Sequence, residues 1–313
     1  MKILITGASG FIGSFLCEEG LRRGHEIWAG VREHSSRRYL QLQGLGFLTL
    51  DLSDRTVLSR QLAAVGSPFD VIIHAGGATK CLDRNDFMRN NYDCTRNFVD
   101  VLTQLDMIPR QFIYVSSYSV IGPSVYGASK LRSEEYIKSL GDFPYVIFRP
   151  TGVYGPREKD YFVMAQSIAR HLDFAVGQEQ KLTFIYVDDL VGAIFAAVDK
   201  GVAHRTYNVA DGHTYESRVF SDLLRRELAV RHVIHVKAPL WLLHVVTSVS
   251  DWWARNVTHR PTTLNRDKYL IMSQRDWTCD ITPLKEELGF TPQWDLEHGV
   301  KQTIKWYKEN HWL

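Results

Sequence analysis

Met1-Lys2-Ile3-Leu4-Ile5-Thr6-Gly7-Ala8-Ser9-Gly10-Phe11-Ile12-Gly13 opens the chain, and its reading decides the fold. Lys2–Thr6 is a short strand-like run, and helical spacing starts at Phe11 and carries on to Arg22. Between them Gly7, Gly10 and Gly13 stand as G-x-x-G-x-x-G, with Ser9, Phe11 and Ile12 among the residues between. Glycines let the backbone turn tightly and approach a pyrophosphate, and the helix that follows supplies free N–H groups and a partial positive charge. A glycine triplet alone is a weak signal. Its place between a first strand and a first helix makes it a specific one. The plain alternative is a tight turn with no ligand.

The alternation continues. Strand-like runs recur at Glu26–Val31, Phe47–Leu50, Asp70–His74, Gln111–Ser116 and Tyr145–Phe148. Helical spacing fills Arg55–Val65, Asp86–Leu105 and Ser129–Leu140. The strand runs are continuously apolar, which means that both faces of the sheet are covered. Repeating βα units imply a parallel sheet with helices on both sides. The expected fold is α/β: a Rossmann-type doubly wound parallel sheet with a smaller, mainly helical C-terminal cap for the substrate. Past Pro150 the rhythm loosens. Helices are expected at Tyr161–His171, Asp188–Lys200, Ser217–Val230, Leu240–Val257, Thr282–Leu288 and Leu296–Glu309, and strands at Thr183–Val187 and Arg205–Val209. Residues 1–155, with 183–212 returning to them, are read as the dinucleotide-binding domain. Residues 156–182 and 213–313 are read as the cap.

Composition narrows the class. The 313 residues allow one or two domains of roughly 150 each. Lys and Arg number 37 against 35 Asp and Glu, a net charge of +2 that lacks the basic excess of a nucleic-acid binder. With 45% hydrophobic residues the chain is not a disordered one. The apolar run at the N-terminus is far too short for a secretory signal. Pro239–Trp253 is broken by His244, Thr247, Ser248, Ser250 and Asp251, and is too short and polar to span a bilayer. Cys17, Cys81, Cys94 and Cys279 are scattered with no C-x-x-C pair. No disulfide framework and no metal are expected, and a reducing cytoplasm is the simplest setting.

Tyr126-Gly127-Ala128-Ser129-Lys130 is Y-x-x-x-K. Residues four apart share one face of a helix, so Tyr126 and Lys130 can serve one site. A free tyrosine titrates near about 10, and a neighbouring cation lowers that value. The phenol can then exchange a proton with an alcohol or ketone near neutral pH. The alternative is a surface Tyr–Lys pair.

Thr6–Gly13 resembles the T-G-x-x-G-x-x-G of the short-chain dehydrogenase/reductase superfamily, in the G-F-I-G form of its extended branch, the NAD-dependent epimerase/dehydratase family. Tyr114–Gly122 is similar to the family's S-S-x-x-V-Y-G. The resemblance implies that the Ser117 hydroxyl polarises a substrate carbonyl beside Tyr126, and that Lys130 also reaches the nicotinamide ribose. Asn91–Asn97 looks like N-V-x-G-T-x-N, which implies that Asn91 shapes the floor of the site; Cys94 replaces the family's Gly. Arg149–Arg157 looks like R-P-x-x-V-Y-G-P-R, which implies Pro150 and Val153 beside the nicotinamide. Val187-Asp188-Asp189-Leu190 is similar to V-D-D-L, whose acids are read as helix caps. Leu288-Gly289-Phe290 and Pro292 match the family's closing pattern, so the resemblance covers nearly the whole chain. It also implies a homodimer, sealed by the helices at 86–105 and 129–140. Phe98, Leu102, Leu131 and Tyr136 are candidates for that seam unless they face the sheet.

The family's cofactor is a nicotinamide dinucleotide, and the end of the second strand selects it. An acidic residue there binds the ribose 2′-OH of NAD, and an Arg accommodates the 2′-phosphate of NADP. Val31 stands at the acidic position and Arg32 follows, similar to the dihydroflavonol-reductase and 3-beta-hydroxysteroid-dehydrogenase-like branch. Arg37 and Arg38 lie close enough in sequence to join Arg32. NADP is expected, with NAD left open through Glu33. The resemblance places Asp51 and Leu52 beside the adenine; a helix cap next to Ser53 and Asp54 is the alternative. Ala75, Gly76 and Gly77, after His74, keep the backbone small where the ribose passes.

Three functions fit these residues. One is an oxidoreductase that interconverts an alcohol and a ketone. The second is a nucleotide-sugar epimerase or dehydratase with the same three side chains and a tightly held NAD. The third is a non-catalytic dinucleotide-binding regulator. Thr151 stands where sugar-nucleotide relatives carry Asn, which counts against the second. Intact Tyr126 and Lys130 count against the third. A small, mainly apolar substrate is expected. Trp241, Trp252 and Trp253 either line its pocket or only pack the cap, and Arg157 and Lys159 are the residues that could instead neutralise a diphosphate.

Overall fold

The structure, a computed structural model, describes residues 1–176, 179–259, 262 and 265–313. β1 (Lys2–Thr6), α1 (Phe11–Arg22), β2 (Glu26–Val31), β3 (Gly46–Thr49), α2 (Arg55–Ala63) and β4 (Val71–His74) form the opening run. Next come α3 (Asn85–Phe87), a π turn (Met88–Asp93), α4 (Cys94–Gln104), β5 (Gln111–Val115), a 3₁₀ turn (Tyr118–Ile121), α5 (Val125–Lys138) and β6 (Tyr145–Pro150). They are followed by β7 (Gly152–Tyr154), α6 (Asp160–Ala169), β8 (Leu172–Val176), β9 (Lys181–Leu182), β10 (Phe184–Tyr186), α7 (Val187–Lys200) and β11 (Arg205–Val209). The C-terminal part holds β12 (Tyr215–Glu216), α8 (Ser217–Glu227), β13 (Ile234–Ala238), α9 (Leu240–Trp253), a second π turn (Ala254–Thr258), α10 (Arg266–Met272), α11 (Thr282–Leu288) and α12 (Leu296–Glu309).

Among the described residues seven strands form one sheet in the order β11-β6-β5-β4-β1-β2-β3, each neighbouring pair parallel. This is the expected doubly wound architecture. Successive side chains of a strand point to opposite faces, so a continuous apolar run feeds two cores at once. Ile3 and Ile5 enter the layer closed by α1, α7 and α11, with Leu16, Ile194 and Leu284. Leu4 enters the opposite layer with Leu58, Phe98 and Phe112. A third cluster, around Tyr154, Phe184, Phe220 and Val300, joins β7 and β10 to α8 and α12. The strand order reverses between β1 and β4, and a crevice opens beyond their C-terminal ends, where such sheets bind ligands.

Several expected boundaries move for physical reasons. The helix expected over 86–105 is interrupted by the π turn, which points Asn91 inward. The helix expected from Ser129 already begins at Val125, because the Ser124 hydroxyl accepts from the Gly127 N–H at 2.9 Å and caps it. Past Pro150 short strands pair over long sequence distances: β7 with β10, β8 with β13 and β9 with β12. No local period announces such pairs. Phe98 and Leu102 are fully buried in the sheet layer, so they are not available to a subunit seam. Asp189 does not cap its own helix. It accepts from the backbone N–H groups of Gln293 and Trp294, which ties α7 to the approach of α12.

One charge pair lies largely inside this frame. The Glu134 side chain on α5 is 1% exposed, and it accepts from the Arg149 guanidinium on β6 at 2.5 Å and from the Ser116 hydroxyl at 2.6 Å. The triangle joins the residue after β5 to β6 and α5, one helical turn from Lys130. Glu134→Ala leaves the Arg149 guanidinium, 21% exposed, without its counter-charge. It should lower unfolding stability by about 1.5–3 kcal/mol, read from denaturant midpoints. A loss below about 1 kcal/mol would show that the pair is not a structural lock.

Candidate active site

The β1–α1 turn is a contact of backbone on backbone. Gly7 lies in the left-handed region at φ +69°, and a Cβ there would stand 2.7 Å from the Gly76 nitrogen. A Cβ on Gly13 would stand 2.1 Å from the Gly7 carbonyl oxygen. Only glycine fits either place. The Gly10 N–H donates to the Gly7 carbonyl at 2.9 Å and closes the turn. Gly10 caps α1 without any side-chain hydrogen bond, and the first turn of α1 carries no acidic residue. The N–H groups of that turn thus face the crevice with the positive end of the helix, an anion-binding arrangement. Ser9, Phe11 and Ile12 surround it, half-buried.

The floor is built from β4 and the π turn. His74 is buried between the hydroxyls of Thr6 at 2.6 Å and Thr95 at 3.0 Å, and burial with the nearby Lys130 charge pushes its pKa down to about 3. It is a neutral structural staple. A Cβ on Gly77 would come within 3.0 Å of both Lys130 Nζ and Asn91 Oδ1. Asn91 accepts from the Ala78 N–H at 2.7 Å and donates to the Ser129 hydroxyl at 2.9 Å. The extra residue of the π turn makes this inward placement; such turns concentrate at functional sites.

At the ends of β2 and β3, Val31 is buried and Arg32 is exposed. Asp51 is held below the ordinary carboxylate range by the Ser53 hydroxyl and N–H, with Arg32 adding its charge. The helix-capping task falls to Asp54, which accepts from the N–H groups of Thr56 and Val57. Asp51 is therefore not the cap of α2. The Leu52 carbonyl is held by Asn97 at 3.1 Å. Arg37 stacks over Phe47 at 4.6 Å, an exposed cation braced on a ring.

Tyr126 and Lys130 sit in the first two turns of α5. Lys130 is buried, and its Nζ donates to the Val115 carbonyl at 3.0 Å. Burial lowers its pKa to about 8, against the opposing pull of Glu134. The Ser117 hydroxyl accepts from the Ser119 N–H at 3.2 Å and acts on the Tyr126 phenol in favour of its ionised form. The expectation that Lys130 depresses Tyr126 is not met: burial dominates and raises the phenol above its ordinary value, although Ser117 pulls the other way. Tyr126 is consequently a protonated group at neutral pH. Pro150 ends β6, and Val153 lies in β7 opposite Ile185. Thr151 donates its hydroxyl to the Val209 carbonyl at 3.2 Å. Arg157 is drawn to α1 by Glu18 at 2.7 Å and the Ser14 hydroxyl at 3.0 Å. Among the described residues no group of three or more His, Cys, Asp and Glu could hold a metal ion.

Sequence reasoning missed Asp267. This carboxylate on α10 is 5% exposed and accepts from the Val125 N–H at 2.7 Å and the Tyr126 N–H at 3.2 Å. An acid at a helix N-terminus is favourable, so α10 clamps the turn that carries Tyr126. No local signal could have found it, because its partners lie more than a hundred residues away.

The sheet order and the glycine turn at its switch point define a Rossmann-type dinucleotide fold. The sequence model of the NAD dependent epimerase/dehydratase family matches residues 3–210. The chain belongs to that family, whose members are enzymes of the extended short-chain dehydrogenase/reductase type. It is 26% identical to a ceramide reductase of Caulobacter vibrioides, over 99% of this chain and 96% of that one. It is 25% identical to a UDP-N-acetyl-alpha-D-glucosaminuronate decarboxylase of Bacillus cytotoxicus, over 98% of each chain. The crystal structure of UDP-glucose 4-epimerase from Thermotoga maritima with UDP-glucose superposes with a TM-score of 0.80 at 18% identity, over 99% of this chain and 100% of that one, which shows the shared fold.

Closing the glycine turn with a methyl group tests the cradle. Gly13→Ala should cost about 1–3 kcal/mol through overpacking and abolish dinucleotide binding, read by thermal unfolding and by titration with NAD and NADPH. Wild-type affinity in this variant would show that the cofactor does not sit on the turn.

Proposed function

We propose that this enzyme interconverts an alcohol and a ketone on a mainly apolar small molecule, with NADP as its cofactor. The observation that carries the reading is Tyr126 and buried Lys130 one turn apart on α5, with the phenol held protonated by burial and Ser117 favouring its ionised form. The glycine cradle fits a dinucleotide, since Gly7, Gly13 and Gly76 leave no Cβ in the way and the start of α1 keeps its N–H groups uncapped. Gly7, Ser9, Gly10, Phe11, Ile12 and Gly13 would hold the pyrophosphate. Asp51 and Leu52 would border the adenine, Arg32 and Arg37 the 2′-phosphate, and Ala75–Gly77 with Asn91 the ribose. Pro150 and Val153 would border the nicotinamide, which when bound supplies or accepts the hydride.

The chain's own side chains do the proton work. In the reducing direction Tyr126 donates its phenolic proton to the carbonyl oxygen, and a raised pKa suits a donor that must arrive protonated. Ser117 orients that oxygen by hydrogen bond. Lys130, an ammonium with a lowered pKa, stabilises the phenolate left behind. Residues 1–155 and 183–212 are assigned to cofactor binding, and 156–182 with 213–313 to the substrate. The resemblance to a ceramide reductase over nearly both chains supports a reductase with an apolar substrate.

Sugar-nucleotide chemistry with the same three side chains is the second reading, favoured by the equally long resemblance to the decarboxylase. Against it stand Thr151, turned to the Val209 carbonyl, and Arg157, engaged by Glu18.

Tyr126→Phe keeps the ring and deletes the proton. Turnover should fall about 10²–10⁴-fold with cofactor affinity unchanged, measured by steady-state rates beside NADPH titration. More than half of wild-type activity in this variant would remove Tyr126 from the mechanism. Arg32→Ala should weaken NADPH about ten- to a hundredfold and leave NADH almost untouched, because one charge-assisted bond to phosphate is lost. Tighter NADH than NADPH in the unaltered enzyme would overturn the cofactor assignment.

A further inference from the structure

Helix α9 is turned inside out. Its inward side is Leu243 and Thr247, both buried, continued by buried Ala254 of the π turn that follows. Its outward stripe is apolar: Trp241 is 68% exposed, Val249 59%, Trp252 59% and Trp253 53%, with Val245 between them. These positions recur at helical spacing and form one continuous face with tryptophan at both ends. A helix facing water carries its apolar stripe inward, so this one is unpartnered within the described chain.

Charge identifies the partner. Residues 229–275 hold seven Lys and Arg against two Asp, in a chain whose total is only +2, so the remainder is net acidic. Lys237, Arg255 and Arg266 are exposed around α9. Neither acid forms a side-chain ion pair with them among the described residues. Asp267 is buried against the start of α5, and Asp251 accepts from the Arg266 N–H at 3.0 Å. A second copy docked symmetrically would bring this positive rim against itself. An anionic lipid surface satisfies both features, because its headgroups attract the cations and its acyl boundary takes up the tryptophans and valines.

We propose that α9 seats the enzyme on an anionic membrane surface. The helix lies in the interface and does not cross it: its 14 residues extend about 21 Å, against a hydrocarbon core of about 30 Å. No helix among the described residues is long and apolar enough to cross a membrane. α9 packs on α10, and α10 carries the Asp267 that holds the Tyr126 turn. The lipid-facing helix is thus one element removed from the reacting phenol. The lipid contact itself is independent of which reaction Tyr126 serves.

The test is co-sedimentation of the full chain with vesicles of phosphatidylcholine alone and of phosphatidylcholine mixed with phosphatidylglycerol. Sedimentation with the mixed vesicles is expected, with a blue shift of tryptophan emission. Binding should fall about tenfold or more when salt rises from about 0.1 M to about 1 M, where the screening length shrinks from about 10 Å to about 3 Å. Val249→Asp should reduce binding about tenfold or more while circular dichroism and dinucleotide titration stay unchanged. Lys237→Glu with Arg255→Glu, which leaves the apolar stripe intact, should reduce it by a similar factor. Failure to sediment with mixed vesicles at low salt would overturn the proposal. So would equal binding to both vesicle types, or a dimer that Val249→Asp dissociates with no vesicle binding, which would give the face to a second copy.

Discussion

The contact between the Gly7 and Gly13 backbones, closed on its other side by Gly76, is the constraint on which the crevice depends. A Cβ on Gly13 would stand only 2.1 Å from a carbonyl oxygen, so there is no room for any side chain. The close approach of β1, α1 and β4 brings the start of α1 to the crevice with its amides unspent. The same approach seats Gly77 against Lys130 and Asn91, so the uncapped start of α1 and the α5 lysine share one wall. A single packing requirement therefore aligns two chemically different halves of the site.

Buried electrostatics then sets what each group can do. His74, Lys130 and Tyr126 are all shifted by burial, each toward its neutral form. For His74, locked between two threonines, the outcome is a structural group. For Lys130 and Tyr126 it is a pair whose protons lie closer to neutral pH on the lysine side and farther from it on the tyrosine side. The Glu134–Arg149 pair joins β6 to α5, and Lys130 is held on the same helix by its bond to the Val115 carbonyl. The C-terminal part reaches into this arrangement through Asp267, so the position of Tyr126 depends on both ends of the chain.

The same dependence gives α9 its interest. Helix α10 is held at one end by the α5 N-terminus and on its flank by α9, whose outward face is apolar. A surface that meets α9 is mechanically adjacent to the turn that carries Tyr126, with no intervening loop.

Local order was legible from residues 1–13 onward. Strand, glycines and helix follow in one short stretch, and the continuous apolar runs already require a sheet covered on both faces. Tyr126 and Lys130 were legible because a helix converts a spacing of four into one face. Other features had no local trace. Asp267 meets Val125 across 142 residues, and β8 meets β13 across 62, so only the closed tertiary structure joins them. The raised Tyr126 pKa was misjudged from sequence because spacing reports a neighbouring charge but not the desolvation that outweighs it. Sequence alone determined the order of strands and helices, the glycine turn and the shared helix face of Tyr126 and Lys130, since each is written in a period or spacing of a few residues. Tertiary structure decided the protonation of the phenol, the clamp on its helix and the outward apolar face of α9, since burial and orientation are properties of the packed chain.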